Sequence, residues 1–143
     1  MQTAASNDTY ATTLQKLFQN TSGLPTSETL IPTLLAYILD AQGGPFQPYN
    51  SGENEFRLWV YILQNQCGPW TYDVDNDQLV TVMRKVLMNM GAPNPGSVTK
   101  VTLVKLMVNL EVALTNCYTS TDNIVLISGG NMLTISGAQL VLI

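Results

Sequence analysis

The apolar positions of residues 8–116 recur at intervals of three and four, a period that predicts helices rather than strands. Breaks rich in glycine and proline divide this part of the chain into five helical segments. The predicted helices cover residues 8–19, 26–41, 53–66, 78–90 and 97–116. Because the connections between them are short, we expect neighbouring helices to run antiparallel in a five-helix, bundle-like domain.

Residues suited to cap helices stand before the first two segments. Asn7 or Asp8 is placed to cap the first helix, and the second should begin at Thr26 or Ser27 with Glu28 in its first turn. The fifth helix, capped by a serine at position 97, is the longest at about 28 Å for 1.5 Å per residue. Only one narrow polar stripe interrupts its apolar surface, so we expect it to lie at the centre of the bundle.

The period changes after residue 122, where an eight-residue near-repeat reads NIVLISGG, NMLTISGA and QLVLI. Each unit has five residues of strand type, and the first two units end in a Ser-Gly-small corner of the kind that forms tight turns. The sequence therefore predicts a helical domain over residues 1–118 and a C-terminal β arm over residues 119–143. The fold class is mainly α, and α+β by the order of its elements.

The strands of this repeat carry no charge, and short strands with no polar face must be covered on both faces. One interpretation is a meander packed on the protein's own helices. The other is that the strands pair with a partner or stack with copies of themselves, since no lysine, proline or charge protects their edges. The predicted interface residues are Ile124, Leu126, Ile127, Met132, Leu133, Ile135, Leu140, Leu142 and Ile143.

The composition indicates a surface that is polar but sparsely charged. Charged residues make up 11% of the chain, against about 25% in ordinary globular domains. Uncharged polar surface is easier to bury against another protein, because less ionic desolvation is required. The formal charge of −4 and the dispersed basic residues argue against a nucleic-acid partner.

Membrane insertion and secretion have no support in the sequence. No apolar run approaches the length of a membrane span, and the N-terminus lacks the features of a signal peptide. We therefore expect a soluble protein made in a cytoplasm, with no membrane partner. Cys67 and Cys117 have neither the spacing of a metal site nor a disulfide framework, so we expect buried free thiols.

The chain contains no histidine, which removes the commonest general base and excludes hydrolases built on Ser-His or Cys-His pairs. Glu53 and Glu55 stand at a helix start, where favourable interaction with the helix dipole is a better explanation than acid/base catalysis. No catalytic residue is predicted, and we expect a protein that is not an enzyme.

Asp73, Asp75 and Asp77 resemble the opening of an EF-hand calcium loop. The match fails further on, because a glutamine stands where the loop needs glycine and an arginine where it needs a bidentate glutamate. We interpret these residues as a helix start capped by Asn76 or Asp77, with adventitious binding of Ca²⁺ or Mg²⁺ as the alternative. No cofactor or metal site is predicted.

Few charges, abundant asparagine, threonine and glutamine, and a compact domain with a β arm together resemble the small structural proteins of tailed bacteriophages, such as head-decoration, tail and fibre-anchoring components. The resemblance implies a non-enzymatic virion protein that docks through its helical domain and associates through its β segment with other chains or with itself. The alternative is a monomeric helical adaptor that binds a peptide or small ligand through Trp59, Trp70 and the aromatic loop 46–49. The burial of residues 123–143 distinguishes the two hypotheses.

Overall fold

The structure is a computed structural model, which describes residues 1–47, 52–110, 112–114 and 116–117. Within those ranges the regular elements are five helices: α1 (Tyr10–Ser22), α2 (Ile31–Gln42), α3 (Glu55–Asn65), α4 (Leu79–Asn89) and α5 (Lys100–Asn109). This confirms the prediction of a mainly helical fold. The β arm predicted for residues 119–143, with its nine interface residues, lies outside the described part of the chain.

Three of the expected helix caps are displaced by one or two residues, including that of α5, which is Thr99 and not Ser97. The N-cap of α1 is Thr9, whose hydroxyl accepts the Thr12 N–H at 3.2 Å while the Thr12 hydroxyl accepts the Thr9 N–H at 2.8 Å. This reciprocal pair satisfies two of the amide groups that a helix start leaves without partners. The N-cap of α4 is Gln78. Asp77 does not cap it, because its carboxylate binds the ammonium group of Lys85 instead.

The start of α2 is determined by its proline. Pro32 occupies the first turn, the only part of a helix that tolerates the missing N–H, so α2 begins at Ile31 and not near residue 27. Glu28 lies in the turn before the helix, where one carboxylate oxygen accepts the N–H groups of Thr29 and Leu30, both at 3.0 Å. The predicted start at Thr26 or Ser27 was therefore wrong by four or five residues.

The fifth helix is shorter and less central than the apolar pattern predicted. It spans Lys100–Asn109 and is capped by Thr99, whose hydroxyl accepts the Thr102 N–H at 3.2 Å. Ten residues give about 15 Å of helix. The apolar residues beyond it do not continue a helical face, because Leu114 is buried elsewhere, at the end of the domain. Tertiary packing overrides the local pattern here.

The five helices form a closed ring. Each helix packs on its neighbours in sequence, and α5 packs on α1. The first turns of α1, α3 and α5 meet at one end, where Glu55 receives a hydrogen bond from the Tyr10 hydroxyl at 2.5 Å and the Lys100 ammonium group at 3.0 Å. At the other end, the Gln42 side chain donates to the Ile62 carbonyl at 3.1 Å, joining the last turns of α2 and α3.

Helices whose first turns meet at one end and whose last turns meet at the other run parallel, so the antiparallel prediction was wrong. The connections, which we call return segments, are residues 23–30, 43–54, 66–78 and 90–99. A helix of 12 residues rises about 18 Å. Eight residues of extended chain reach up to about 26 Å, so even the shortest return segment can lead back to the starting end.

The core has the same register in every helix, with residues i, i+1, i+4 and i+5 directed inward. In α2 to α5 these residues are at most 2% exposed. They are Leu34, Leu35, Ile38 and Leu39 in α2, Leu58, Trp59, Ile62 and Leu63 in α3, Val82, Met83, Val86 and Leu87 in α4, and Leu103, Val104, Met107 and Val108 in α5. Thr13, Leu14 and Leu17 continue the pattern in α1, so one register fills the whole ring.

This common register reflects an internal repeat of 24 residues. Residues 34–46 read LLAYILDAQGGPF and residues 58–70 read LWVYILQNQCGPW, which agree at seven of 13 aligned positions. Residues 82–94, VMRKVLMNMGAPN, form a more divergent third copy. Each copy is one helix and the beginning of its return segment. Repeats of this kind bury their apolar faces only by stacking on one another, which accounts for the parallel ring.

Candidate interaction site at the C-terminal ends of the helices

Three asparagine side chains at the C-terminal end of the ring each hold both backbone groups of one residue. The Asn65 amide accepts the N–H of Phe46 at 3.1 Å and donates to its carbonyl at 2.9 Å. Asn89 holds Trp70 in the same way, at 3.1 and 2.9 Å. We call this arrangement an asparagine clasp. The clasp provides hydrogen-bond partners for backbone groups that have no strand to pair with. It also holds the return segment against the helix that follows.

A third clasp holds the N-terminal segment against α1. Asn20 accepts the N–H of Gln2 at 2.7 Å and donates to the Gln2 carbonyl at 3.1 Å. In the repeat register Asn20, Asn65 and Asn89 stand at the same position, seven residues after the first buried residue of their helices. The clasp therefore recurs at one register position in three helices of the ring.

Glycine is required next to the clasp that holds Phe46. Gly44 has a φ of +104°, and a Cβ built on it would stand 2.6 Å from the Asn65 side-chain oxygen. Gly68, with a φ of +139°, has the same relation to Asn89. Both glycines are needed for two reasons, because the backbone is in a region that other residues avoid and because the amide packs directly on it.

Helix α2 carries Ala41 at the position that the asparagines occupy in α1, α3 and α4. The methyl group of alanine cannot form hydrogen bonds with the backbone of a return segment. An open groove of about 320 Å³ lies between α1 and α2. We call it the α1/α2 groove. Its lining residues are Phe18, Ser22, Leu24, Tyr37, Asp40 and Ala41. Leu24, on the return segment that a clasp would have held, is 62% exposed.

The last described residues cross this end of the ring. The Leu114 N–H donates to the Thr21 hydroxyl at 3.3 Å, at the end of α1, and the Leu114 side chain is only 2% exposed. The Asn116 amide donates to the Gln42 carbonyl at the end of α2. The chain therefore runs from α1 towards α2 and α3 before it reaches the predicted arm.

A disulfide ends this crossing. Cys117 is bonded to Cys67, with a Cα–Cα distance of 4.9 Å, and its N–H donates to the Asn65 carbonyl at 2.8 Å. The prediction of two free thiols was therefore wrong. The pairing depends on the last turn of α3 and the terminal segment meeting at one end of the ring, which a spacing of 50 residues does not reveal. Cys117, the last described residue, is thus covalently fixed beside the end of α3.

A polar cluster at the opposite end of the ring joins three helices. Tyr10 donates to Glu55 and accepts the indole N–H of Trp59 at 3.0 Å, while the Lys100 ammonium group lies 4.8 Å from the centre of the Tyr10 ring. Burial and the hydrogen bond to Glu55 raise the pKa of Tyr10 well above its usual value of 10.0. These contacts explain Glu55 as a structural link between helices, beyond its position in the first turn of α3.

The aspartates after α3 form a self-contained turn. The Asp73 carboxylate accepts the side-chain amide of Asn76 at 2.8 Å and the Asp75 N–H at 3.0 Å, and the Asn76 contact lowers the pKa of Asp73. The Asp77 carboxylate accepts the Asp73 N–H at 2.9 Å and pairs with Lys85 at 2.6 Å. The carboxylates of Asp73 and Asp77 are thus engaged within the protein. In the described ranges no three side chains of histidine, cysteine, aspartate or glutamate form a group able to hold a metal ion.

The aromatic residues proposed for ligand binding do not form one site. Trp59 is completely buried in the core, which contradicts a role in contacting a ligand. Phe46 is 37% exposed and stacks on Tyr61 with ring centres 5.7 Å apart, and Trp70 is 43% exposed. Tyr49 lies outside the described residues. The clasped residues Phe46 and Trp70 therefore belong to successive return segments, and the ring of Phe46 has one packed face.

Comparisons with protein-family models, with curated proteins and with solved structures found no match to this chain. In the part of the chain that the structure describes, no helix has the length and apolar character needed to cross a bilayer.

Proposed function

We propose that this chain is a non-enzymatic assembly protein, in which a helical ring anchors a C-terminal apolar segment that associates with other protein chains. The observation that carries the proposal is the fixed exit at Cys117, one residue before the segment 118–143 begins. The disulfide joins the start of that segment to the chain just beyond α3, so the segment is not attached through a free linker. This arrangement suits an arm that holds chains together.

The sequence of the segment supports association more than simple burial. Residues 123–143 contain no charged residue. The repeat has more apolar side chains than a few short strands can bury from water by themselves. In an aqueous solution such strands lower their free energy by pairing and by burying their side chains against another surface. Partners that would provide this surface are copies of the same chain or a larger assembly.

We propose a virion as that assembly, as a component of the head, tail or fibre anchor. The sparse charge and the separation into domain and arm support this, as does the disulfide. Disulfides persist in oxidising surroundings and are rare in reducing cytoplasm. A protein made in a cytoplasm and working in a released particle would complete the Cys67–Cys117 bond on leaving the cell.

The alternative of an adaptor with an aromatic binding groove has weaker support, since Trp59 is enclosed by the core. Phe46 and Trp70 are partly exposed at the surface, but an asparagine clasp holds the backbone of each. A rigid, half-packed aromatic side chain offers one face to a partner. It lacks the concave, enclosed shape typical of small-molecule sites.

The test is the mass of the protein in solution. We expect the full chain to sediment as an oligomer, and the double variant Ile127→Lys and Ile135→Lys to sediment as a monomer, because charge on the strands opposes their burial. The matched control, Thr119→Lys with Thr121→Lys, adds the same charge to the same segment outside the repeat units and should leave the oligomer intact. Circular dichroism must show equal helix content in all three proteins.

A native chain that stays monomeric at high micromolar concentration would refute the proposal, provided that its segment 123–143 resists carboxypeptidase. Protection in a monomer would show that one copy covers its own strands. Equal oligomerisation of the native chain and the repeat variant would also refute it, because the strands would then not be the contact.

A further inference from the structure

We infer that the α1/α2 groove of one copy is the receptor for the first apolar strand of the C-terminal segment, residues 124–127, of a second copy. This inference rests on the proposed function and names the surface that the arm binds. It would make the contact between copies directional, with a donor strand on one chain and an acceptor groove on the next.

The repeat shows what kind of occupant the groove fits. Between α2 and α3, Asn65 holds the return segment by hydrogen bonds to the backbone of Phe46. The ring of Phe46 stacks on the ring of Tyr61, with an angle of 4° between their planes. At the step between α1 and α2, the equivalent of Tyr61 is Tyr37, which packs on Phe18 and remains 41% exposed. Among the residues that the structure describes, no ring stacks on Tyr37 as the ring of Phe46 stacks on Tyr61 one repeat later.

The chemistry of the groove matches the proposed donor. Its lining is mainly apolar, with the rings of Phe18 and Tyr37, the methyl group of Ala41 and the side chain of Leu24. The volume of about 320 Å³ is at the lower end of the range for binding pockets, which suits a few side chains of one strand and not a whole domain. Residues 124–127 read IVLI and bring no charge that would have to be desolvated.

The path of the chain favours a second copy over the same copy. Residues 114, 116 and 117 contact the ends of α1, α2 and α3 in that order, so the chain moves away from the α1/α2 step as it approaches its exit. The disulfide holds the exit at the α3 end. To enter its own groove, the segment would have to reverse direction within residues 118–123, whereas a neighbouring copy meets no such constraint.

Donor and acceptor are different surfaces of the same chain, so the contact is of the head-to-tail type. Such contacts produce a ring when the rotation between copies closes and a filament when it does not. A symmetric dimer, in which both chains use the same patch, is not the expected product. The geometry points to a closed ring or a linear array built from identical steps.

The experiment compares groove variants in the full-length, disulfide-bonded protein by sedimentation velocity over a concentration series. Leu24→Ser removes the most exposed apolar side chain of the groove, and Ala41→Asn supplies the amide that closes the equivalent step elsewhere in the ring. The matched control is Val74→Ser, at a 73% exposed residue of another return segment. Because Leu24 is largely solvent-exposed, its replacement leaves the fold intact, which thermal melting verifies.

We expect Leu24→Ser and Ala41→Asn each to weaken self-association by tenfold or more, and Val74→Ser to leave it unchanged. If both groove variants associate like the native chain while the double lysine variant of the repeat is monomeric, the inference fails and the proposed function stands. If the lysine variant also associates normally, both fail. A monomeric native chain whose C-terminal segment becomes protease-sensitive on Leu24→Ser would show docking within one copy and would overturn the inference.

Discussion

The asparagine clasp yields the sharpest prediction for stability. Asn65 is completely buried, and its amide makes three hydrogen bonds, two to the backbone of Phe46 and one to the side chain of Gln42 at 3.3 Å. Asn89 makes the equivalent bonds, two to the backbone of Trp70 and one to the side chain of Gln66 at 3.3 Å, but its side chain is only partly buried and the two bonds to Trp70 are exposed. The substitutions Asn65→Ala and Asn89→Ala therefore remove the same device from two environments that differ in access to water.

The expected cost follows from the number of bonds and from the access of water to the groups left behind. A hydrogen bond contributes about 1 kcal/mol net, and a buried group left without a partner costs about 1–3 kcal/mol. Asn65→Ala should therefore lower the free energy of unfolding by about 3 kcal/mol. For Asn89→Ala, water can replace the lost partner, so the expected loss is about 1 kcal/mol.

Urea denaturation followed by far-ultraviolet circular dichroism measures both losses, provided that the slope of unfolding free energy against urea is unchanged between variants. Losses for the two alanine variants that agree within about 0.5 kcal/mol would refute the argument, since burial would then have no effect on the clasp.

Three further predictions concern the disulfide, the polar cluster and the glycine beside the clasp. Replacing Cys67 and Cys117 by serine should lower the free energy of unfolding by about 4 kcal/mol in the chain-entropy account of a 50-residue loop, and reduction of the native protein should reproduce the loss in a thermal melt. The raised pKa of Tyr10 means that its stabilising contribution is complete below pH 10 and declines above it, so Tyr10→Phe should flatten the alkaline part of the stability profile; parallel profiles would contradict this. Gly44→Ala should cost about 1–3 kcal/mol more than Gly23→Ala in urea, because both residues have positive φ but only Gly44 meets a neighbour; equal costs would exclude the close approach as the reason.

The apolar periodicity was sufficient to predict the number of helices and most of their boundaries. It was not sufficient for their direction, since return segments of eight residues or more allow either a direct turn or a complete return. In helix bundles, short connections usually join antiparallel neighbours, and this tendency was the basis of the antiparallel prediction. The contact between Gln42 and the last turn of α3 excludes it, and that contact depends on tertiary packing.

The internal repeat of 24 residues was visible in the sequence and would have corrected the direction. Gln42 and Gln66 each precede a Gly-Pro-aromatic motif at the same spacing, and Leu-rich segments of equal register stand before them. A repeat that places each unit in the same orientation predicts parallel helices.

Other features follow from the tertiary structure. Trp59, a ligand-binding residue in the adaptor hypothesis, stands at a core position of α3, is completely buried and donates its indole N–H to Tyr10. Cys67 pairs with a cysteine 50 residues away because both lie where helix ends converge. The α1/α2 groove lies where Ala41 takes the place of a clasp asparagine. This difference can be recognised only by comparison with the clasps of the other helices.

The most direct test of the central claim is the mass of the full, oxidised chain in solution. Sedimentation should give a multiple of 15.6 kDa for the native protein and 15.6 kDa for the variant with lysine at Ile127 and Ile135, with equal helix content. A native mass of 15.6 kDa at every concentration, with residues 123–143 protected from carboxypeptidase, would contradict the claim that this segment joins one chain to another.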